Sequence, residues 1–199
     1  MGIIHPCHEL ANTNLKEVVR KIKIPPTATQ LLDLGGSHGL YSIEFCKKYP
    51  NLKAEIIDYE PVRQYAQAHI EKHAMDGRVT FTAADFMKED LPLSNDIVLL
   101  FQIIHQNVPE QNIALFKKIH AVLRQGGQLI ILEQIKGIGG ASQLSKSNTS
   151  FIALNLFHQA SGNAYTFEEV RAWAIEAGFR KHTLKKLNAP GFGLIVCEK

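Results

Sequence analysis

Short apolar runs bounded by glycine, proline or acidic residues alternate along this chain with stretches in which apolar residues recur every three or four positions. Leu15, Val18, Val19 and Ile22 share one helical face, Asn14 with Glu17 has the spacing of a capping box, and Pro25-Pro26 stops the pattern, which predicts a leader helix. Gln30 to Leu34 reads as a buried strand, followed by the glycine-rich turn Gly35-Gly36-Ser37-His38-Gly39 and a helix through Tyr41, Phe45 and Cys46. The unit recurs as a strand at Ala54 to Asp58, a helix opened by Pro61 and running through Val62, Tyr65, Ala66 and Ile70, and a strand at Val79 to Thr82. Asp96 to Phe101 is a strongly apolar fourth strand. A helix from Pro109 turns Ile113, Phe116, Ile119 and Leu123 inward and ends at Gly126-Gly127, and a fifth strand, Leu129 to Leu132, runs into Glu133.

Such alternation predicts a mostly parallel sheet with right-handed crossovers. The low-complexity stretch 137–150 reads as a loop, and its glycine and serine content beside Glu133 suggests a lid. A short apolar helix is expected around Ile152, Leu154 and Leu156. A capped helix starts at Thr166, with Glu169 completing the box, and ends at Gly178. Two last strands, near His182 to Leu187 and Gly193 to Cys197, are separated by Ala189-Pro190-Gly191. With no internal repeat and no linker, the reading is one α/β domain over 1–199, of which 1–25 is the leader helix and its linker and 26–199 the core.

Composition narrows the function classes. The chain is 45% apolar and 21% charged, which excludes general disorder. Its net charge of +3 comes from scattered lysines and arginines, with pairs such as Lys47-Lys48 and Lys117-Lys118 but no basic block, so no nucleic-acid partner is expected. The three cysteines, Cys7, Cys46 and Cys197, are odd in number and widely spaced, which argues against a disulfide framework and for the reducing cytoplasm. No apolar run approaches a membrane span. His5-Pro6-Cys7-His8 lacks a second ligand pair, so no metal is expected.

On an open α/β sheet a ligand sits beyond the carboxyl ends of the strands. There the turn from Asp33 to Gly39 keeps glycines that let backbone approach a ligand before a helix begins, although many tight strand-helix turns share them. Asp58, at the end of the second strand, is placed to accept hydrogen bonds from both hydroxyls of a ribose; its alternative is an exposed strand-end acid. Asp85-Phe86 suits an adenine amino group and ring face, or else a turn acid and a core aromatic. His105, just past the fourth strand, and Glu133, just past the fifth, form a candidate base and orienting acid, against the alternative of a loop histidine beside an unrelated carboxylate. Trp173 and His120 read as structural.

From about residue 30 to its end the chain resembles the catalytic domain of the small-molecule O-methyltransferases related to plant caffeate and bacterial polyketide enzymes. The resemblance rests on the turn Asp33 to Gly39, on Asp58, on Asp85-Phe86 and on the segment from Phe101 to Glu133. It implies a Rossmann-like, seven-stranded, mostly parallel sheet whose last strand returns antiparallel in a C-terminal hairpin. It also implies S-adenosylmethionine as cofactor, held by Asp33, Gly35, Gly36, Gly39, Asp58, Asp85, Phe86 and Phe101, and methyl transfer to a hydroxyl of a small aromatic or polyketide-like acceptor. His105 matches the family's catalytic histidine, Glu133 the acid that orients it, and Phe151, Asn155 and His158 lie on the segment that lines the acceptor pocket.

The departures are equally specific. Gln106 and Asn107 stand where the family commonly has Asp and Trp, and Ala164 where it has a second acid before the capping Thr. The leader helix stands where the family usually carries a dimerising winged-helix domain, so the oligomeric state is open, as is a non-catalytic cofactor-binding role. A Gly-Gly-x-x-Gly turn argues against a nicotinamide dehydrogenase, and Phe101-Gln102-Ile103-Ile104-His105 lacks the Asn/Asp-Pro-Pro-aromatic pattern of nucleic-acid amino-methyltransferases.

Overall fold

The computed structural model describes residues 14–138 and 164–199, which gather into two compact units, one through Leu99 and one from Leu100. In the first unit, residues 14–21 form α1, with Val18, and Ile22 just beyond it, buried. There follow β1 (Gln30–Leu34), α2 (Leu40–Lys48), β2 (Lys53–Asp58), a 3-10 turn at Glu60–Val62, α3 (Arg63–Lys72), β3 (Val79–Ala83) and β4 (Asn95–Phe101). The strands lie in the order β3-β2-β1-β4, with β1 parallel to β2 and β2 parallel to β3.

Leu31, Leu32 and Leu34 are all at most 1% exposed, the continuous burial expected of a parallel strand covered on both faces. Asp96 fixes the entry of β1: its Oδ2 accepts from the backbone N–H groups of Thr29 (2.7 Å) and Gln30 (3.0 Å). Arg78 closes the opposite corner, Nη2 donating to the carbonyls of Cys46 (2.6 Å), Tyr49 (3.0 Å) and Leu52 (2.8 Å) where α2 runs out.

The second unit holds a 3-10 turn at Ile104–Gln106, α4 (Pro109–Val122), β5 (Leu123–Lys136), β6 (Tyr165–Thr166), α5 (Phe167–Glu176), β7 (Arg180–Lys186) and β8 (Phe192–Glu198). β8 pairs antiparallel with both β5 and β7, the C-terminal hairpin expected from the sequence. β7 ends the strand order and carries Lys181, Lys185 and Lys186, charged side chains that blunt an edge against further pairing. Thr166 and Glu169 form the expected capping box: Glu169 N–H donates to Thr166 Oγ1 (3.2 Å) and Thr166 N–H to Glu169 Oε2 (2.7 Å). Trp173 packs edge-on against Tyr165 (4.7 Å) and Phe116 (6.4 Å), a structural role as read.

Three details differ from the sequence reading. α4 stops at Val122, and Gly126-Gly127 lies inside β5 rather than capping the helix. Lys199 supplies what a glycine cap would have given: its Nζ donates to the carbonyls of His120 (2.6 Å) and Leu123 (2.7 Å), while Gly126 N–H donates to Lys199 O and Lys199 N–H to Gly127 O. The buried face of α4 is carried by Asn112, Leu115, Phe116, Ile119 and Val122, leaving Ile113 half-buried. The two-residue β6, paired parallel to β5, brings the described strands to eight instead of seven. Most of 137–150 and the apolar stretch around Ile152, Leu154 and Leu156 lie outside the described residues. No helix among the described residues is long and apolar enough to cross a membrane.

Arg78→Met should destabilise the protein by about 2–3 kcal/mol, because three carbonyls lose a charged donor. Urea unfolding measures this, and a loss within about 0.5 kcal/mol, the range of an ordinary surface change, would contradict it.

Candidate active site

In the first unit the chain leaves β1 through Gly35 (φ 71°), Ser37 (φ 49°) and Gly39 (φ 72°) before α2 begins. At Gly39 the positive φ favours glycine and a Cβ would also lie 2.5 Å from Ile56 Cδ1, while a Cβ on Gly36 would lie 2.6 Å from the Asp33 carboxyl carbon and displace that carboxyl. Asp58 ties this turn to the next strand end: Oδ2 accepts from Ser37 N–H (2.9 Å) and Oδ1 from Tyr59 N–H (2.7 Å). Ala84 N–H donates to Asp58 O (3.1 Å), so the carboxyl ends of β1, β2 and β3 are linked. The first turn of α2 contains no acid of its own to offset the helix's positive end.

Asp33 is 2% exposed, and Ser42 Oγ donates to its Oδ2 at 2.6 Å. Burial pushes its carboxyl up to about 7; the Ser42 hydrogen bond works against this, and the charge of Asp58 adds to it. Burial also raises Asp58, although the Tyr59 and Ser37 N–H groups favour its ionised form. Asp85 is engaged in its own turn, with Oδ1 accepting from Met87 N–H (3.1 Å) and Oδ2 paired with Lys88 (2.9 Å), while Phe86 is buried.

In the second unit Phe101, the buried last residue of β4, is followed by Gln102 in the left-handed region (φ 59°), which turns the chain into the 3-10 segment carrying His105. His105 and Glu133 meet: Nδ1 lies 3.0 Å from Oε1 and 2.9 Å from Oε2. Glu133 is 1% and His105 9% exposed. Burial alone would lower the imidazole, but the Glu133 charge and hydrogen bond outweigh it, and the His105 pKa is raised above its ordinary 6.5.

The supports of His105 include Asn112, Tyr165 and Gln102, to which the pattern gave no role, beside Gln106 and Asn107, which depart from the family pattern. Asn112 Nδ2 donates to Ile104 O (3.0 Å), Asn107 Nδ2 to Asn112 Oδ1 (3.2 Å), and the Tyr165 hydroxyl to Asn107 O (2.8 Å). Gln102 Nε2 reaches Glu133 Oε1 at 3.2 Å, and Gln106 Nε2 donates to Gln102 O (3.0 Å). A buried polar residue on the apolar face of α4 was the one available signal, at Asn112. Ala164 is buried and brings no carboxylate. Phe151, Asn155 and His158 lie outside the described residues.

A family model described as an O-methyltransferase domain matches residues 6–180. The 3-hydroxy-5-methyl-1-naphthoate 3-O-methyltransferase of Streptomyces sahachiroi is 28% identical over 167 residues, covering 84% of this chain and 48% of that protein. The L-tyrosine C(3)-methyltransferase of Streptomyces lavendulae is 27% identical over 196 residues, covering 96% of this chain and 52% of that protein. The crystal structure of human N-acetylserotonin methyltransferase in complex with SAM matches with a TM-score of 0.84 at 23% identity, over 98% of this chain and 54% of that one, a likeness of fold. The chain spans about half the length of the curated relatives it matches.

The raised carboxyl of Asp33 has a signed consequence for the ligand-free protein. Its stabilising contribution is present below the unfolded-state pKa near 3.8 and is lost as pH rises through about 7. Asp33→Asn should therefore gain stability relative to the wild type between pH 5 and pH 8, read from denaturant melts across that range; a difference that stays flat contradicts the assignment.

Proposed function

We propose, from the premise that this chain belongs to the O-methyltransferase domain family, that it moves a methyl group from S-adenosylmethionine to a hydroxyl of a small aromatic or polyketide-like acceptor. The observation that carries this reading is the buried contact between His105 Nδ1 and the Glu133 carboxylate. The naphthoate 3-O-methyltransferase among the relatives supports the acceptor class.

The donor set of the first unit suits the cofactor. A half-buried carboxylate at Asp58 is the chemistry that a vicinal diol needs, a glycine turn opening a helix without first-turn acid suits a carboxylate, and the buried acid Asp33 suits an ammonium. Gly35, Gly36 and Gly39 supply the backbone approach, and Phe86 and Phe101 are assigned to the adenosine, with Asp85 toward its amino group. Phe151, Asn155 and His158 are assigned to the acceptor.

When bound, the cofactor supplies a methyl already activated on a sulfonium, which leaves alignment and proton removal to the protein. Glu133 accepts from His105 Nδ1–H, which fixes the tautomer and leaves the Nε2 lone pair to take the acceptor's proton; the carboxylate then stabilises the imidazolium. Neutral imidazole is required, so turnover falls as pH drops through a midpoint lying above the ordinary 6.5, the direction in which Glu133 moves His105. Loss of a phenolic proton also makes the ring carbon beside it more nucleophilic, so the same pair suits carbon methylation, in which that carbon's own proton leaves as the ring regains its aromaticity and the phenol oxygen is reprotonated; this is the activity in the name of the tyrosine C(3)-methyltransferase. We assign the protein to the reducing cytoplasm, which its buried free thiols Cys46 and Cys197 support.

His105→Ala should lower turnover about 10²–10⁴-fold with cofactor affinity nearly unchanged, and the acidic limb of the pH profile should vanish with it. The assay is a mass-spectrometric screen of phenols, catechols and hydroxynaphthoates for gain of one methyl; wild-type turnover in the variant excludes the base, and cofactor binding without any methylation points to a binding module. Asp58→Ala should weaken S-adenosylhomocysteine by about 1.5–3 kcal/mol in calorimetry, and an unchanged dissociation constant in the folded variant removes Asp58 from the site.

A further inference from the structure

We infer that Gln102 is a positioning residue for the proposed base, its side-chain amide holding the Glu133 carboxylate in the orientation that fixes the His105 tautomer. This rests on the reading of His105 as a base, but its geometry stands by itself. Glu133 Oε1 receives Gln102 Nε2 at 3.2 Å, Gln134 N–H at 2.9 Å and His105 Nδ1 at 3.0 Å, whereas Oε2 faces His105 Nδ1 at 2.9 Å. Two donors besides the histidine thus occupy one oxygen and set the torsion of the carboxylate, which leaves the other for the imidazole.

The backbone of Gln102 holds its side chain in place. Its φ of 59° is a left-handed conformation that glycine or asparagine adopts more readily. Gln102 N–H and Nε2 both reach Leu132 O, at 2.9 and 3.2 Å. Since Leu132 O and the Glu133 carboxylate are both acceptors, the amide must present its NH2 group to them, and its orientation is fixed by its partners. A glycine would satisfy the turn alone; the glutamine adds a neutral donor that holds the carboxylate without cancelling the charge acting on His105. Gln106 Nε2, donating to Gln102 O at 3.0 Å, braces the same turn from the His105 side.

The test is nitrogen-15 NMR of the His105 ring in the full chain, which reads tautomer and titration midpoint without any acceptor. Wild type should show the Nδ1–H tautomer. Gln102→Gly, which the left-handed φ favours, should keep the thermal midpoint yet show mixed tautomers, and should lower kcat more than it raises KM for S-adenosylmethionine. Gln102→Met keeps the length of the side chain but removes the donor, and should likewise show mixed tautomers. Wild-type tautomer and midpoint in Gln102→Gly, or the wild-type tautomer in Gln102→Met, overturns the inference; if the glycine variant does not fold, the methionine variant decides. Mixed tautomers in Gln102→Gly together with full turnover in His105→Ala would leave Gln102 as a positioning residue and remove the base, so the two readings fail separately.

Discussion

A carboxylate removed from water as completely as that of Glu133 is stable only where donors replace its hydration. Here the donors come from three places: the imidazole of His105, the amide of Gln102 and the backbone of Gln134. Much of the local architecture serves that meeting. Gln102 bends the chain where β4 ends, Asn112 holds the carbonyl of Ile104, and the Tyr165 hydroxyl holds that of Asn107. The sense of the His105 shift follows, since burial and the buried charge oppose each other and the charge prevails.

The first unit shows the opposite electrostatic situation. Asp33 has a hydroxyl donor from Ser42, and both its burial and the charge of Asp58 act against its ionisation. The turn above it is held in a strained sequence of left-handed residues by the Asp58 carboxylate and by close glycine packing. Burial and the neighbouring charge therefore favour the protonated carboxyl of Asp33, and a cation brought beside it would favour the ionised form. Asp58 thereby serves the turn and remains half-buried at the strand end, where the proposal gives it a ribose.

The sequence exposed elements whose causes are local. β1 was legible at its full bounds because its three leucines face both sides of the strand just before the glycine turn, and α5 because the capping box at Thr166 is a two-residue signal. Its parallel order and antiparallel ending followed from the alternation and from the resemblance. Non-local causes were hidden: Gly126-Gly127 looked like a helix stop because the lysine that takes over that role lies at Lys199, far along the chain. Asn112 rotated the buried face of α4 for the sake of a hydrogen bond to Ile104, and β6 consists of two residues without any pattern. His105 and Glu133 could be placed from their strand ends, but Gln102 could not, since nothing in a sequence marks a glutamine that adopts a positive φ.

Proton titration of the His105 ring in Glu133→Gln reads the balance between burial and the buried charge. The midpoint should drop from above the ordinary imidazole value to below it, because burial then acts without the opposing charge. A midpoint that stays where the wild type has it would contradict the claim that the buried carboxylate sets the basicity of His105.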